Sequence, residues 1–333
     1  MGPITGDAAF IGKEQLGFAK YAIRNLAAGK VKLIEGDTQL SRARAVTVAR
    51  AFHANQEILA VVGPAGSQEV LAVAPTFTRA HRLPFISGSA IQGALTNGSI
   101  PSFFRVIPND RAQPPTIARY IRRVLKAKAV LIVDDRTAYS RPLADGVQAR
   151  LRAGGVRVTR KSVDQKLTDF SALVAGIGSG IDVVFVPWQI AANAQIFGRQ
   201  LRQQGKKAIV FGSDAVDSGD FTLAGSYVSS FAPDVRGIRG NAAFVRGYGT
   251  TFVSNFGPPV YVATQAAIAA IRKACADGDA TRAEVEKNLE ATFIPGIVLG
   301  GNLRFTARGD RKGATFSIFK LGAAGKKTLV GST

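Results

Sequence analysis

Histidine, cysteine and tryptophan are nearly missing from this chain, and each scarcity closes off a class of chemistry. Only two histidines, His53 and His81, occur in 333 residues. Neither belongs to an HExxH motif, so both read as surface or helix-end residues rather than metal ligands. A single cysteine, Cys275, excludes an internal disulfide. It lies in an alanine-rich helical stretch and reads as an inert thiol. The patterns CxxC, GxSxG and GxxxxGK[ST] do not occur, which removes the matching redox, hydrolase and P-loop readings. Long apolar runs are missing too: AVLIV at 129–133 is among the longest, far short of the ~20 residues that span a membrane. No signal peptide opens the sequence, so one was removed or never existed.

Negative charge is also in short supply. Lysine and arginine number 43 against 23 acidic residues, a formal net charge of +20. Such a balance fits nucleic acid, an anionic surface, an acidic partner or a basic proteome. The one local concentration, RYIRRVLKAK, places Arg119, Arg122, Arg123 and Lys126 at helical spacing. No helix-turn-helix, finger or RNP-like aromatic motif accompanies it, so it reads as a solvated helix face, and nucleic acid is not an expected partner. GIGSGI (176–181) begins like a dinucleotide loop, but Ile181 stands where the third glycine belongs. It also precedes its strand, so a loop at a helix end is the better account. The pair Asp134–Asp135 ends a strand without a second acid at a known distance, a weak acid/base signal. The expectation is a protein without catalysis, cofactor or metal.

What remains is a regular alternation. Strand-like runs at 31–36, 58–63, 83–87, 129–134, 156–159, 181–187 and 207–212 alternate with helix-like segments at 13–28, 39–55, 67–81, 112–126, 140–153, 169–177 and 190–204. Leu16, Ala19, Ala22, Ile23 and Leu26 line one face of the first helix. Buried strands joined by helices of this length imply parallel βαβ units. IPNDRAQPP (107–115) and FAPDVRG (231–237) interrupt the series, followed by helical segments at 240–255 and 258–277 and a last strand at 316–322. The predicted fold is α/β, with two doubly wound parallel-sheet lobes joined by a multi-strand hinge. Residues 1–110 and 235–312 form lobe one; 111–234 and 313–333 form lobe two. A hinged cleft suits a ligand that is swallowed.

The opening, MGPITGDAAFIGKEQLGFAKYAI, resembles the N-terminal signature GPxTGxxAxxGxxxxxGxxxA of the branched-chain amino-acid (Leu/Ile/Val-type) binding proteins of ABC transporters. These are periplasmic binding proteins of type I. The likeness continues in order through EGDTQLSRARAVTVARAF, AVVGPAGSQEVLAVAP, LPFISGSA, FFRVIPND, AVLIVDDRTAYSRPLADGV, DFSALVAGI and LRFTARGDRKGATFSIFK, almost the whole chain. In the family an apolar strand directly precedes the GPxTG motif, and Met1 stands at its edge.

The resemblance implies where a ligand sits. The family rests the ligand's α-carboxylate on the helix after the GPxxS turn, here Gly66 and Ser67. Free N–H groups at a helix start suit an anion, although Ser67 can also simply cap its own helix. A second donor set is expected from ISGSA, with Ser89 and the backbone of Ala90. The next position, commonly threonine in the family, is Ile91 here, one hydroxyl fewer. Asp214 in FGSDAV matches the family's acidic partner for the ligand ammonium; a turn or N-cap role is the plainer alternative. Phe10, Tyr139, Trp188 and Tyr261 match wall positions, against ordinary core packing for each.

The function implied is an extracytoplasmic solute-binding protein, free or lipid-anchored. It captures an amino acid, apolar or branched-chain, by lobe closure and delivers it to an ABC transporter permease. It is expected to be a monomer and not an enzyme. Alternatives are a binding protein for another small carboxylate, an amide or an aromatic compound, and a ligand-sensing receptor domain.

Overall fold

Buried apolar runs and amphipathic helices alternate along the chain, and the structure turns that alternation into parallel βα units. The computed structural model describes residues 1–27, 29–249 and 254–332. It divides into two compact units, Met1–Asn109 with Ala232–Ala314, and Asp110–Phe231 with Thr315–Thr333. The chain therefore passes between the units three times.

The first unit opens with α1 (Ala9–Leu26), α2 (Arg42–Ala54), β1 (Val61–Val62), α3 (Ser67–Phe77), β2 (Phe85–Ser87) and β3 (Phe103–Arg105). The second unit follows with α4 (Gln113–Arg123), β4 (Ala129–Asp134), α5 (Ser140–Ala153), β5 (Arg157–Ser162), α6 (Ser171–Ala175), β6 (Val183–Val186), α7 (Ala191–Gln203), β7 (Ile209–Gly212) and β8 (Tyr227–Ser230). The chain returns to the first unit for α8 (Ala242–Tyr248), α9 (Gly257–Ala274), α10 (Arg282–Glu290), β9 (Phe293–Ile294) and β10 (Leu303–Arg304). It ends in the second with β11 (Ser317–Leu321) and β12 (Lys327–Ser332).

In the first unit β1, β2 and β3 pair in parallel in that order. Phe85 is the hub of their core, 5.1 Å from the rings of both Phe77 and Phe103. The glycine of the opening signature has a packing reason. A Cβ on Gly12 would stand 2.2 Å from the Pro3 carbonyl oxygen, so only glycine lets α1 lie against the first turn of chain.

One expected strand is absent. Residues 31–36 form no ladder; the adjoining bridge is the parallel pair Gly2 and Asp37. A strand is defined by its hydrogen-bonded neighbour, and this segment faces space instead. It shares with residues 58–62, Ala19 of α1 and Ile268 of α9 the lining of a cavity of about 300 Å³.

The second unit carries a seven-stranded sheet, ordered β12-β11-β8-β7-β6-β4-β5. The run from β8 to β5 is parallel, whereas β11 pairs antiparallel with both β8 and β12. All residues of β4 and β6 are buried, as strands covered on both faces require. Helices α5 and α7 stop by the same device. Gly155 and Gly205 take φ of 79° and 69°, and Val156 N and Lys206 N each donate back into the last turn, to Leu151 O and Leu201 O. A left-handed residue after a helix ends it and satisfies its last carbonyls. The expected helix at 140–153 appears as Ser140–Ala153. That at 240–255 forms only over Ala242–Tyr248, and 250–253 lie outside the described residues.

Arg105, at the end of β3, is fully buried. Its Nε meets Asp310 Oδ1 at 2.6 Å, its Nη1 reaches the carbonyls of Ala90 and Gln92 at 3.0 and 2.9 Å, and its Nη2 bonds the Thr96 hydroxyl. Removing one partner of a buried pair leaves the other uncompensated. Arg105→Met is expected to cost about 3–5 kcal/mol, read as a lowered urea midpoint with the unfolding slope unchanged.

Candidate functional site

The expected ligand-binding residues fall into two groups, one in each unit. In the first, the turn between β1 and α3 is fixed from inside. Gly66 is the N-cap of α3, with Ser67 its first residue, so Ser67 does not cap its own helix. Gly66 N donates to Glu69 Oε2 at 2.8 Å, while Glu69 N returns a bond to Gly66 O at 3.0 Å. The first bond is the Glu69 side-chain half of a capping box, the only half a glycine N-cap allows. Glu69 is fully buried, and burial, opposed by its bonds, pushes its carboxyl up to about 7. Ser67 Oγ accepts from Gln92 N at 3.3 Å and keeps its hydrogen to donate.

The ISGSA turn is tied to the first. Ser87 Oγ donates to Pro64 O at 2.7 Å and accepts from Ala90 N at 2.9 Å. Ser89 Oγ donates to Ala65 O at 2.9 Å and accepts from Gln15 Nε2 at 2.8 Å. The Ser89 hydroxyl and Ala90 N–H, expected to face a ligand, are thus spent on holding the two turns together. Ile91 is buried beside them. Phe10 is half-buried, its ring edge-on to Phe256 at 6.1 Å. Tyr261 is buried and packs on Tyr21 and Phe244 at 5.3 and 4.8 Å. It has the core-packing role.

In the second unit Asp214 lies at the C-terminal end of β7, first residue of a short 3-10 turn to Val216. Its Oδ1 accepts from Tyr139 Oη at 2.8 Å and Gln113 Nε2 at 2.5 Å. Gln113 also donates to Ser229 Oγ at 2.8 Å. Burial pushes the Asp214 carboxyl up to about 7 against these bonds, and the charge of Asp217 adds to the rise. The Tyr139 phenol is raised well above its ordinary value, by burial and then by the Asp214 charge. The Asp214 carboxylate is thus held by two neutral donors and, among the described residues, by no ion-pair partner.

Trp188 does not join them. Its indole Nε1 donates to Val133 O at 2.7 Å and its ring stacks on Phe170 at 4.9 Å, so it is a core residue of the second unit. Asp134 and Asp135 are structural as well. Asp134 pairs with Arg160 at 2.7 Å, and Asp135 holds Thr137 and the Gln189 backbone. Gln113 was hidden in the connection 107–115; the signal is an amide just before the helix-starting Pro114–Pro115. Glu69 is flagged by its place three residues after Gly66. Among the described residues no acidic, histidine or cysteine group is placed to hold a metal ion.

A family model described as periplasmic binding protein matches residues 1–326. The chain belongs to the periplasmic binding protein family. The resemblance of its opening motifs to the Leu/Ile/Val-type members is borne out, as is the type I α/β fold with parallel sheets in two lobes. An amino acid binding protein of Pseudomonas aeruginosa is 29% identical across 98% of this chain and 90% of its own length. Leu/Ile/Val-binding protein homolog 1 of Brucella abortus is 28% identical across 98% and 91%. In fold, the chain matches the branched-chain amino acid transporter substrate-binding protein LivJ of Streptococcus pneumoniae, solved with isoleucine. That match has a TM-score of 0.87 over 99% of this chain and 97% of that one, at 23% identity.

The raised carboxyl of this binding protein has a stability consequence with a definite sign. A native carboxyl above its unfolded value binds more protons than the unfolded chain between the two, so its stabilisation is lost as pH rises through that window. Asp214→Asn mimics the protonated form. Relative to wild type, the ligand-free variant is expected to gain on the order of 2–4 kcal/mol between pH 4 and pH 7.5, measured as urea midpoints across that range.

Proposed function

We propose that the protein is a periplasmic solute-binding protein that captures an amino acid with an apolar side chain and delivers it to an ABC importer. The observation that carries this reading is the buried Asp214 carboxylate, met by Tyr139 and Gln113 and by no described cation. A ligand ammonium supplies the missing charge. The N-terminus of α3, with the hydroxyl hydrogen of Ser67, offers donors for the ligand carboxylate. The names of the P. aeruginosa and B. abortus relatives point to the same ligand class.

Binding works here by population shift rather than by reaction. Closure of the two units around the ligand brings the carboxylate donors and Asp214 onto one molecule, and the closed form is what a permease reads. In this reading the protein is not an enzyme and acts as a monomer outside the cytoplasm. Among the described residues no helix is long and apolar enough to cross a membrane.

A second reading, a small carboxylate or aromatic acid as ligand, is favoured by Ile91, which brings no hydroxyl, and by the engaged donors of Ser89 and Ala90. Asp214 argues against it, since an ionised carboxylate repels an anion.

Calorimetry on ligand-stripped protein separates the two, with leucine, isoleucine, valine and benzoate as titrants. An aliphatic amino acid should bind and benzoate should not; silence from all three amino acids ends the proposal. Asp214→Asn should weaken amino-acid binding at least about 30-fold, the loss of a buried charge pair. Because Asp214 must be ionised, wild-type affinity should fall as pH drops below about 7. Trp188 lies in the core, so its emission is no direct report on the ligand.

A further inference from the structure

The hairpin of β11 and β12 brings a charge to the Asp214 turn that the binding scheme above does not use. Lys327 opens β12, and its Nζ lies 2.5 Å from Asp217 Oδ1, with both side chains almost wholly buried. Burying two charges costs several kcal/mol per ion before their attraction offsets it. A pair so placed calls for a reason beyond surface solubility. Asp217 belongs to the Asp214 turn: its N–H donates to Asp214 O at 3.1 Å. Two carboxylates within four residues therefore share one buried strand end.

The groups facing that end come from five segments. Gln113 comes from α4, Tyr139 from the start of α5, Ser213 and Asp217 from the turn itself, Ser229 from β8 through Gln113, and Lys327 from β12. Lys327 is the cation of this set. It balances Asp217 and leaves Asp214 for the ligand.

We infer that Lys327 is a positioning residue of the ammonium site, neutralising Asp217 so that the neighbouring Asp214 carries its charge toward the ligand. The inference rests on the amino-acid reading of Asp214. The Asp217 charge raises the proton affinity of Asp214, and removing the lysine that offsets that charge adds to the rise. Burial of Asp214 and the Asp217 charge beside it already act in that direction.

The test is a set of three variants followed by leucine calorimetry between pH 5.5 and 8.5. The carboxyl titration of Asp214 is read in parallel, by carbon NMR on ligand-free protein. Lys327→Met should shift the Asp214 midpoint upward by about one pH unit and weaken leucine binding about tenfold at pH 6.5. Asp217→Asn, which removes the neighbouring negative charge and leaves the lysine charge uncompensated in the turn, should move both the opposite way. The double variant should return close to wild type. A merely structural ion pair predicts that both single variants weaken binding and leave the Asp214 midpoint in place, and that result overturns the inference. If Lys327→Met does not fold, the downward shift in Asp217→Asn still decides. Should leucine fail to bind the wild type, the NMR midpoints test the charge coupling independently of the ligand assignment.

Discussion

A carboxylate with no cation of its own among the described residues, buried at the end of a parallel strand, is the constraint around which the second unit is arranged. Taking such a group out of water is costly, and the protein offsets only part of that cost with neutral donors. Those donors come from far apart in the chain. Gln113 is delivered by the helix that opens the unit and Tyr139 by the loop after β4. The parallel pairing of β4, β6 and β7 brings these segments to the C-terminal ends of the strands, where open α/β sheets bind ligands. The fold thus gathers three residues that have no local reason to meet, and leaves one valence of charge open.

The first unit solves the opposite problem. Its groups are donors rather than an acceptor, and a helix start needs no buried charge to attract an anion. Its difficulty is to keep two short turns still. Serine hydroxyls do this, because each can donate to a carbonyl and accept an amide proton at once. Ser87 and Ser89 spend both capacities on the turns themselves. Arg105 braces the far side of the 90–92 turn and ties it to Asp310, near the third passage between units. Ser67 is the member of the set whose hydroxyl hydrogen is left over.

The sequence made the alternation of elements legible because that signal is local. Ser140–Ala153 has a full apolar face, and Gly155 ends it for a reason visible in composition alone. The GPITG signature and its Gly12 were equally readable, since close approach of backbone leaves glycine as the only choice. Residues 31–36 misled because alternation of apolar side chains says nothing about whether a neighbouring strand is present to pair with. Trp188 misled for a related reason. Position at the end of β6 was read correctly, but the direction of the side chain depends on Phe170 and the Val133 carbonyl, which only the folded chain brings near. Gln113 was masked by the proline-rich connection around it, where polar residues are ordinarily solvated.

Asp214 shows where the two kinds of information meet. Its residue type and strand-end position were legible, and the match of FGSDAV to the family's acidic position suggested an ammonium partner. Its proton affinity was not, because that depends on burial and on Tyr139, Gln113 and Asp217 together. On the proposed reading, burial raises the proton affinity of this carboxyl, so an arriving ammonium would both form a pair and complete an ionisation. Part of the binding energy would then go into releasing a proton. A ligand without an ammonium would gain nothing from that ionisation. On that reading, the low dielectric that makes the buried charge costly also sets the preference for an ammonium-bearing ligand.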